Sequence, residues 1–133
     1  IPFLLPWAAA SGAQAYPTKP IRFIMPYPAG GSADIIGRML AEKVTADMGQ
    51  QVVVDNRPGA GSLIASEITA KSAPDGHTVI LGGLASHVVA PALQGRKSPY
   101  DPIADFTPIT LATKNPNVLC VNPAVPVKTV QEY

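Results

Sequence analysis

The sequence predicts an α/β fold built on a parallel sheet, and two observations carry that reading. Three short apolar or β-branched runs, at residues 21–25, 51–55 and 77–82, are each followed by a glycine-bearing connection and then by residues that read as helix. The first run, Ile21-Arg22-Phe23-Ile24-Met25, is apolar almost throughout, as in a strand covered on both faces. Strand, turn and helix repeated in this order imply right-handed crossovers, and ligands of such sheets collect beyond the carboxyl ends of the strands. All three glycine-rich connections fall at that end.

The first connection, Met25-Pro26-Tyr27-Pro28-Ala29-Gly30-Gly31-Ser32-Ala33-Asp34, is the stretch around which the chain is organised. It delivers a glycine-rich turn into a helix, which aims backbone N–H groups and a helix N-terminus at one point and suits a negatively charged oxygen. Ile35, Ile36, Met39, Leu40, Val44 and Met48 then recur at helical spacing as an expected inward face, with Arg38, Glu42, Lys43 and Asp47 largely opposite. Ser32 is the expected N-cap, Asp34 favours the positive end of the helix dipole, and Gly49 ends the helix. Gln51-Val52-Val53-Val54-Asp55 is the second strand. Asn56-Arg57-Pro58-Gly59-Ala60-Gly61-Ser62 is the second turn, and residues 63–71 form the second helix with Leu63, Ile64 and Ile68 inward. Ala73-Pro74-Asp75-Gly76 signals a tight turn before the third strand, residues 77–82. Residues 83–86 make the third connection and 88–93 a short helix. Further on, residues 106–112 and 118–121 read as two more strands, and residue 127 onward as the start of a capped helix that stops too soon to stand alone.

Composition narrows the classes. A chain of 133 residues holds one ordinary domain or one lobe of something larger, and 47% hydrophobic residues are enough for a core. A net charge of +1 without a basic run leaves no nucleic-acid or membrane-surface footprint. Cys120 is the single cysteine, so neither an intrachain disulfide nor a cysteine metal site can form; its apolar neighbours suggest a small hydrophobe on a buried strand. The apolar residues 1–10 and the small-x-small Ala13-Gln14-Ala15 suggest the remainder of an export signal cleaved after Ala15, with Tyr16 as the mature start. Pro2 and Pro6 and the short run disfavour a membrane anchor.

The candidate site residues each carry two readings. Gly30 and Gly31 are more glycine than one tight turn needs, which favours close approach of a ligand. Gly59 and Gly61 serve a turn or a ligand about equally. Ser32 is a cap first and a donor second, and Tyr27 either packs or lines the cleft. Asp34 would repel an anion, so an amide-anchoring role is preferred unless the ligand carries an amine. Arg57 either clamps a carboxylate or pairs with Asp55 or another loop carboxylate. His87, after Ser86, touches ligand or caps the short helix, whereas His77 sits at a turn edge; neither has the spaced partners of a metal site.

With these residues in view, the chain resembles the periplasmic solute-binding proteins of tripartite tricarboxylate transporters, the Bug family. The segments that carry the likeness are Tyr16-Pro17-Thr18-Lys19-Pro20-Ile21, Pro26-Tyr27-Pro28-Ala29-Gly30-Gly31-Ser32-Ala33-Asp34, Val53-Val54-Asp55-Asn56-Arg57-Pro58-Gly59-Ala60-Gly61, Ala73-Pro74-Asp75-Gly76-His77-Thr78, Tyr100-Asp101-Pro102 and Asn117-Val118-Leu119. The resemblance implies the first, parallel-sheet lobe of a two-lobed, Venus-flytrap (type II-like) binding protein. Such a protein holds a small carboxylate (a di- or tricarboxylate, an aromatic acid or an amino acid) and delivers it to an integral-membrane permease, with no cofactor and no catalysis. It implies that Tyr27, Ala29, Gly30, Gly31, Ser32 and Asp34, with Arg57, Gly59, Gly61 and Ser62, face one ligand carboxylate, and that Ser86 and His87 border the cleft. Ser62, where the family commonly has glycine, and Gly83-Leu84-Ala85, where it has a serine-rich stretch, are departures. Residues 16–112 would be the incomplete lobe and 113–133 the start of the passage into a second one; the full-length protein is expected to be monomeric and the piece alone to bind weakly.

The rival from another class is a nucleotide-dependent enzyme on a Rossmann-like sheet. Gly59-Ala60-Gly61-Ser62-Leu63-Ile64 has Ile64 at the third glycine position, no acidic residue ends the third strand, and no Walker lysine follows Gly31-Ser32. Neither Ser32 nor Ser86 lies in a hydrolase elbow. An interaction protein without a small ligand would leave the convergence of three glycine-rich connections unexplained.

Overall fold

The computed structural model describes residues 16–114, 118–127 and 129–132. The expected export signal and its cleavage site after Ala15, and parts of the 113–117 link and of the terminal helix, lie outside them. Three parallel strands, β1 (Ile21–Met25), β2 (Val52–Asn56) and β3 (Thr78–Ile80), form one sheet in the order β2-β1-β3. Phe23 sits opposite both Val54 and Val79 in the register. α1 (Ser32–Met48) links β1 to β2, and α2 (Leu63–Ala70) links β2 to β3. The first crossover runs from β1 outward to β2 and the second runs back from β2 across β1 to β3, so right-handedness sends α1 to one face and α2 to the other. β1 is therefore the central strand, and its burial on both faces follows from the topology.

On the α1 face, Phe23, Met25 and Ala41 form the core, with Ala33, Leu40, Val52, Val54, Val79 and Leu81 packed round them. α1 does not bury the face that its bulky residues mark. Asp34, Gly37 and Ala41 are its buried residues, while Ile35 and Met39 are exposed, Met39 to 65%. Small residues win because they let the helix axis lie close to the sheet: a Cβ on Gly37 would stand 2.7 Å from the Met25 methyl, so the thioether fills that space instead. Ile36, Leu40, Val44 and Met48 flank a groove between α1 and the bare flank of β3. Its volume is about 840 Å³, and Val79, Leu81, Ile109 and Leu111 also line it.

On the α2 face Ile24 is wholly buried, and α2 packs against β1 and β3. Ala65 and Ser66 are its buried residues, and the Ser66 hydroxyl has no hydrogen-bond partner among the described residues. An unpaired buried hydroxyl costs stability and serine is a poorer helix former than alanine. Ser66→Ala is therefore expected to stabilise the chain by about 1 kcal/mol, read from urea midpoints. A destabilised variant would show that the hydroxyl has a partner in solution.

At the other end of the sheet, the Tyr16 hydroxyl donates to the Gly76 carbonyl (2.7 Å), Lys19 pairs with Asp75 (2.8 Å), and the His77 amide donates to the Asp75 carboxylate (3.0 Å). These bonds pin the start of the described chain to the turn before β3, with His77 at the turn edge.

The two further strands do not form. Among the described residues, 106–112 and 118–121 have no ladder partner; Ile109, Leu111, Val118 and Leu119 are exposed, and so is Cys120. A strand exists only by pairing, and β-branched residues in a run do not make one without a neighbour. Phe106 instead packs its ring on His87 and Tyr100. The expected terminal helix is a single 3₁₀ turn, Val130–Glu132. The third connection runs into a π-helical turn, Ala85–Val89, continued by α3 (Ala90–Gln94).

Candidate functional site

The first turn leaves β1 through the buried Pro26 and reaches α1 by way of Gly30, whose φ of +85° places it in the left-handed region that glycine enters without strain. The N-cap is Gly31, in extended conformation, with the Ile35 amide donating to its carbonyl (3.0 Å). Ser32 is the first helical residue rather than the cap, and no side chain caps the helix. The glycine takes the cap position because the chain enters with two flexible residues in a row, which lets the helix start one residue early. The amides of the first turn therefore point outward with neither an intrahelical nor a capping partner, an arrangement suited to an anion.

Asp34 does not share that opening. It is 3% exposed, and its carboxylate accepts from Arg38 Nε (2.9 Å), the Gly30 amide (2.9 Å) and Asn56 Nδ2 (2.9 Å). Asn56 Nδ2 also donates to the Tyr27 carbonyl (3.0 Å), and Asn56 Oδ1 accepts from Arg38 Nη2 (3.1 Å). The Arg38 guanidinium first, then the Gly30 and Asn56 N–H groups, hold the Asp34 carboxyl down at about 2. The group is an internal tie between the first turn, α1 and the end of β2. Asn56, at the end of β2, is a member of this assembly that the sequence reading passed over; its place beside Arg57 in the second turn was the only signal.

Arg57 makes an ion pair with Asp55. Its Nε donates to Asp55 Oδ1 (2.9 Å), while Arg22 grips Asp55 Oδ2 from Nε (2.9 Å) and Nη2 (2.6 Å). Burial raises the Asp55 carboxyl, but the two arginines outweigh it and the net direction is down. The Arg57 amide donates to the Met25 carbonyl (2.8 Å), which sets the second turn beside the first. Among the described residues, that turn holds the longest run of positive φ angles. Gly59, Ala60, Gly61 and Ser62 have φ of +129°, +47°, +63° and +79° in succession, two of them on residues with a Cβ. Strain held in this way concentrates at functional sites and needs surrounding structure to sustain it. Here Ser62 is buried, and its amide donates to the Gly59 carbonyl (2.9 Å).

The third connection meets the first through Tyr27: a Cβ on Gly83 would stand 3.2 Å from its hydroxyl. Ser86 and His87 are tied into the third connection itself, the His87 ring lying 2.7 Å from where a Cβ on Gly82 would stand. Ser86 is fully buried, with Oγ accepting from the Gly83 amide (2.9 Å) and lying 2.8 Å from His87 Nδ1. The Tyr100 hydroxyl donates to the Ser86 carbonyl, and burial lowers the His87 pKa. The side chain that the third connection does present is Leu84, 70% exposed. Tyr27, Ser32, Ala33, Gly82, Gly83 and Leu84 border one end of the groove described above. Ala29, Gly30, Gly31, Ser32, Arg57, Gly59 and Gly61 are exposed round the first two turns. Among the described residues, no group of three or more His, Cys, Asp or Glu side chains could hold a metal ion.

Residues 36–133 match the family described as "Tripartite tricarboxylate transporter family receptor". BugT of Bordetella pertussis is 40% identical over 116 residues, 87% of this chain and 36% of its own length. The protein of the tcbD-tcbE intergenic region of Pseudomonas sp. strain P51 is 40% identical over 107 residues, 80% of this chain and 31% of its own. The chain thus spans about a third of the length of the curated relatives it matches. Among solved structures, an R. palustris protein with adipate superposes with a TM-score of 0.66 at 32% identity, covering 88% of this chain and 39% of that one. MatC from Rhodopseudomonas palustris with bound malate gives 0.64 at 36% identity, covering 70% and 31%. The matched family is one of transporter receptors, not of enzymes. On the family match and the relatives together, the chain belongs to the tripartite tricarboxylate transporter receptor family.

Proposed function

We propose that this chain supplies the first lobe of a periplasmic solute-binding protein, which closes on a small carboxylate between two lobes and presents it to an integral-membrane permease. Residues 16–112 form the lobe in this reading, 113–133 begin the passage to the second, and residues 1–15 are the remainder of an export signal cleaved after Ala15. The full-length protein works as a monomer.

One observation carries the reading. The uncapped first turn of α1 stands beside the second and third connections, and the carboxylates and arginines around it are already paired with each other. Asp34 and Asp55 therefore offer an incoming carboxylate little repulsion, and the backbone amides remain to receive it. The neighbours solved with adipate and malate add chemical support, since both ligands are small carboxylates.

The test is titration calorimetry of the full-length protein recovered from the periplasm, against adipate, malate, benzoate, glutamate and, as controls, NAD and ATP. Saturable heat from at least one acid and none from either nucleotide is the expected result. Silence from every acid would end the carboxylate reading. The mass of the recovered protein checks the Tyr16 start, and sedimentation checks the monomer.

A further inference from the structure

The end of the groove that the first turn opens on is unusual in its chemistry. None of the residues lining the cavity of about 840 Å³ is an Asp, Glu, Lys, Arg, His, Asn or Gln. Its side-chain polar groups are the hydroxyls of Ser32, Thr110 and Thr113 and of two tyrosines. At the carboxyl end of β3, where a ligand held by the α1 amides would extend, Gly82 and Gly83 bring no side chain. The two polar side chains of the same connection are committed elsewhere, Ser86 to the Gly83 backbone and His87 to Ser86 and the Phe106 ring. Leu84, 70% exposed, is the large aliphatic side chain of this connection and lines the groove end together with Tyr27, whose hydroxyl would stand 3.2 Å from a Cβ on Gly83. A large aliphatic side chain left in water at the mouth of a cavity loses that exposure only when something apolar is laid against it.

Building on the carboxylate-binding reading above, we propose that Leu84 is the specificity-determining residue of this lobe. It selects acids whose body next to the bound carboxylate is plain hydrocarbon, aliphatic or aromatic, over acids carrying hydroxyl groups there. The carboxylate rests on the first-turn amides of α1, and the adjoining carbons lie on Leu84 and Tyr27. A hydroxyl in that place would give up its water and find neither a charged group nor a side-chain amide among the groove's lining residues, where only the Ser32 and Tyr27 hydroxyls border this end. Leucine rejects such a hydroxyl only by desolvation, so the preference is limited to about 100-fold.

Matched pairs that differ by a single hydroxyl next to a carboxylate read the effect directly: succinate with malate, and phenylacetate with mandelate. In calorimetry on the full-length protein, the plain member of whichever pair binds is expected to be at least about tenfold tighter. Leu84→Ser should close most of that gap, weakening the plain acid and strengthening the hydroxy acid, with an unchanged thermal midpoint because the side chain is exposed. Leu84→Met, which keeps the apolar surface, should retain the preference. A hydroxy acid that binds tighter to the unaltered protein would overturn the inference and leave carboxylate binding standing. So would a Leu84→Ser variant that shifts both members of a pair equally. No binding by any acid, in these pairs or in the wider panel, would instead remove the carboxylate reading on which the inference rests.

Discussion

Replacing Asp34 with alanine is expected to weaken carboxylate binding by the full-length protein by about tenfold or more, although the change removes a negative charge next to an anion site. Simple electrostatics predicts the opposite sign. The hydrogen bonds decide it: Asp34 gathers the Gly30 amide, Arg38 and Asn56, and Asn56 in turn holds the Tyr27 carbonyl. Without the carboxylate, three donors lose their common acceptor, the turn that aims the α1 amides is released, and Arg38 is left to find another partner. Calorimetry on Asp34→Ala and Asp34→Asn measures it, and tighter binding by either variant would show that repulsion, not positioning, was the carboxylate's main effect.

The same tie has a pH signature. In the fold the Asp34 carboxyl takes up its proton at about 2, against 3.8 for the unperturbed group. The unfolded chain is therefore protonated first on acidification, and the stabilisation, complete above about pH 4, disappears as the pH falls toward 2. Asp75, held at about 2 by Lys19 and the His77 amide, loses its contribution in the same window. Urea midpoints for Asp34→Asn and the unaltered chain should differ at neutral pH and converge as the pH approaches 2; a constant difference would detach Asp34 from the acid transition.

Gly59→Ala is expected to be the most damaging change in the second turn. At φ +129° and ψ 157°, Gly59 occupies a region that residues with a Cβ essentially do not enter, and the added carbon would stand 2.8 Å from Ile64 Cδ1. Ile64 is half-exposed and can rotate away, so the backbone sets the cost, roughly 1–3 kcal/mol. That is a large part of the stability of a small domain and should lower the thermal midpoint by several degrees. Gly61 makes an internal control. Its φ of +63° and ψ of 33° lie in the ordinary left-handed well, nothing stands within 4 Å of an added Cβ, and Gly61→Ala should cost less. Equal losses in thermal melts of the two variants would mean that Gly59 is not specially constrained.

Much of the architecture was legible from residue order. The run at 21–25, the β-branched run that became β2 and the turn at 73–76 marked the strands, because strand and turn signals are local. The helix inner face was not legible, since bulky apolar residues at helical spacing say which side is oily and not how close the helix lies. Gly37 and Ala41 won the sheet through proximity. Residues 106–112 and 118–121 were misread for a related reason: a strand is defined by its neighbour, and among the described residues none lies alongside them.

For the site, the sequence by itself determined that three glycine-rich connections gather at one edge of a parallel sheet, and that one of them opens a long helix. Chain order and crossover handedness are enough for that. Tertiary structure decided which side chains face the opening. Asp34, Asp55, Arg38 and Arg57 are turned on one another, Ser86 and His87 are turned inward, and Leu84 is turned out. Side-chain direction at a loop depends on φ and on partners far away in sequence. Asp34 meets Asn56 across 22 residues, and Tyr27 lies over Gly83. No local pattern encodes such meetings, because each exists only once the sheet has brought its strands side by side.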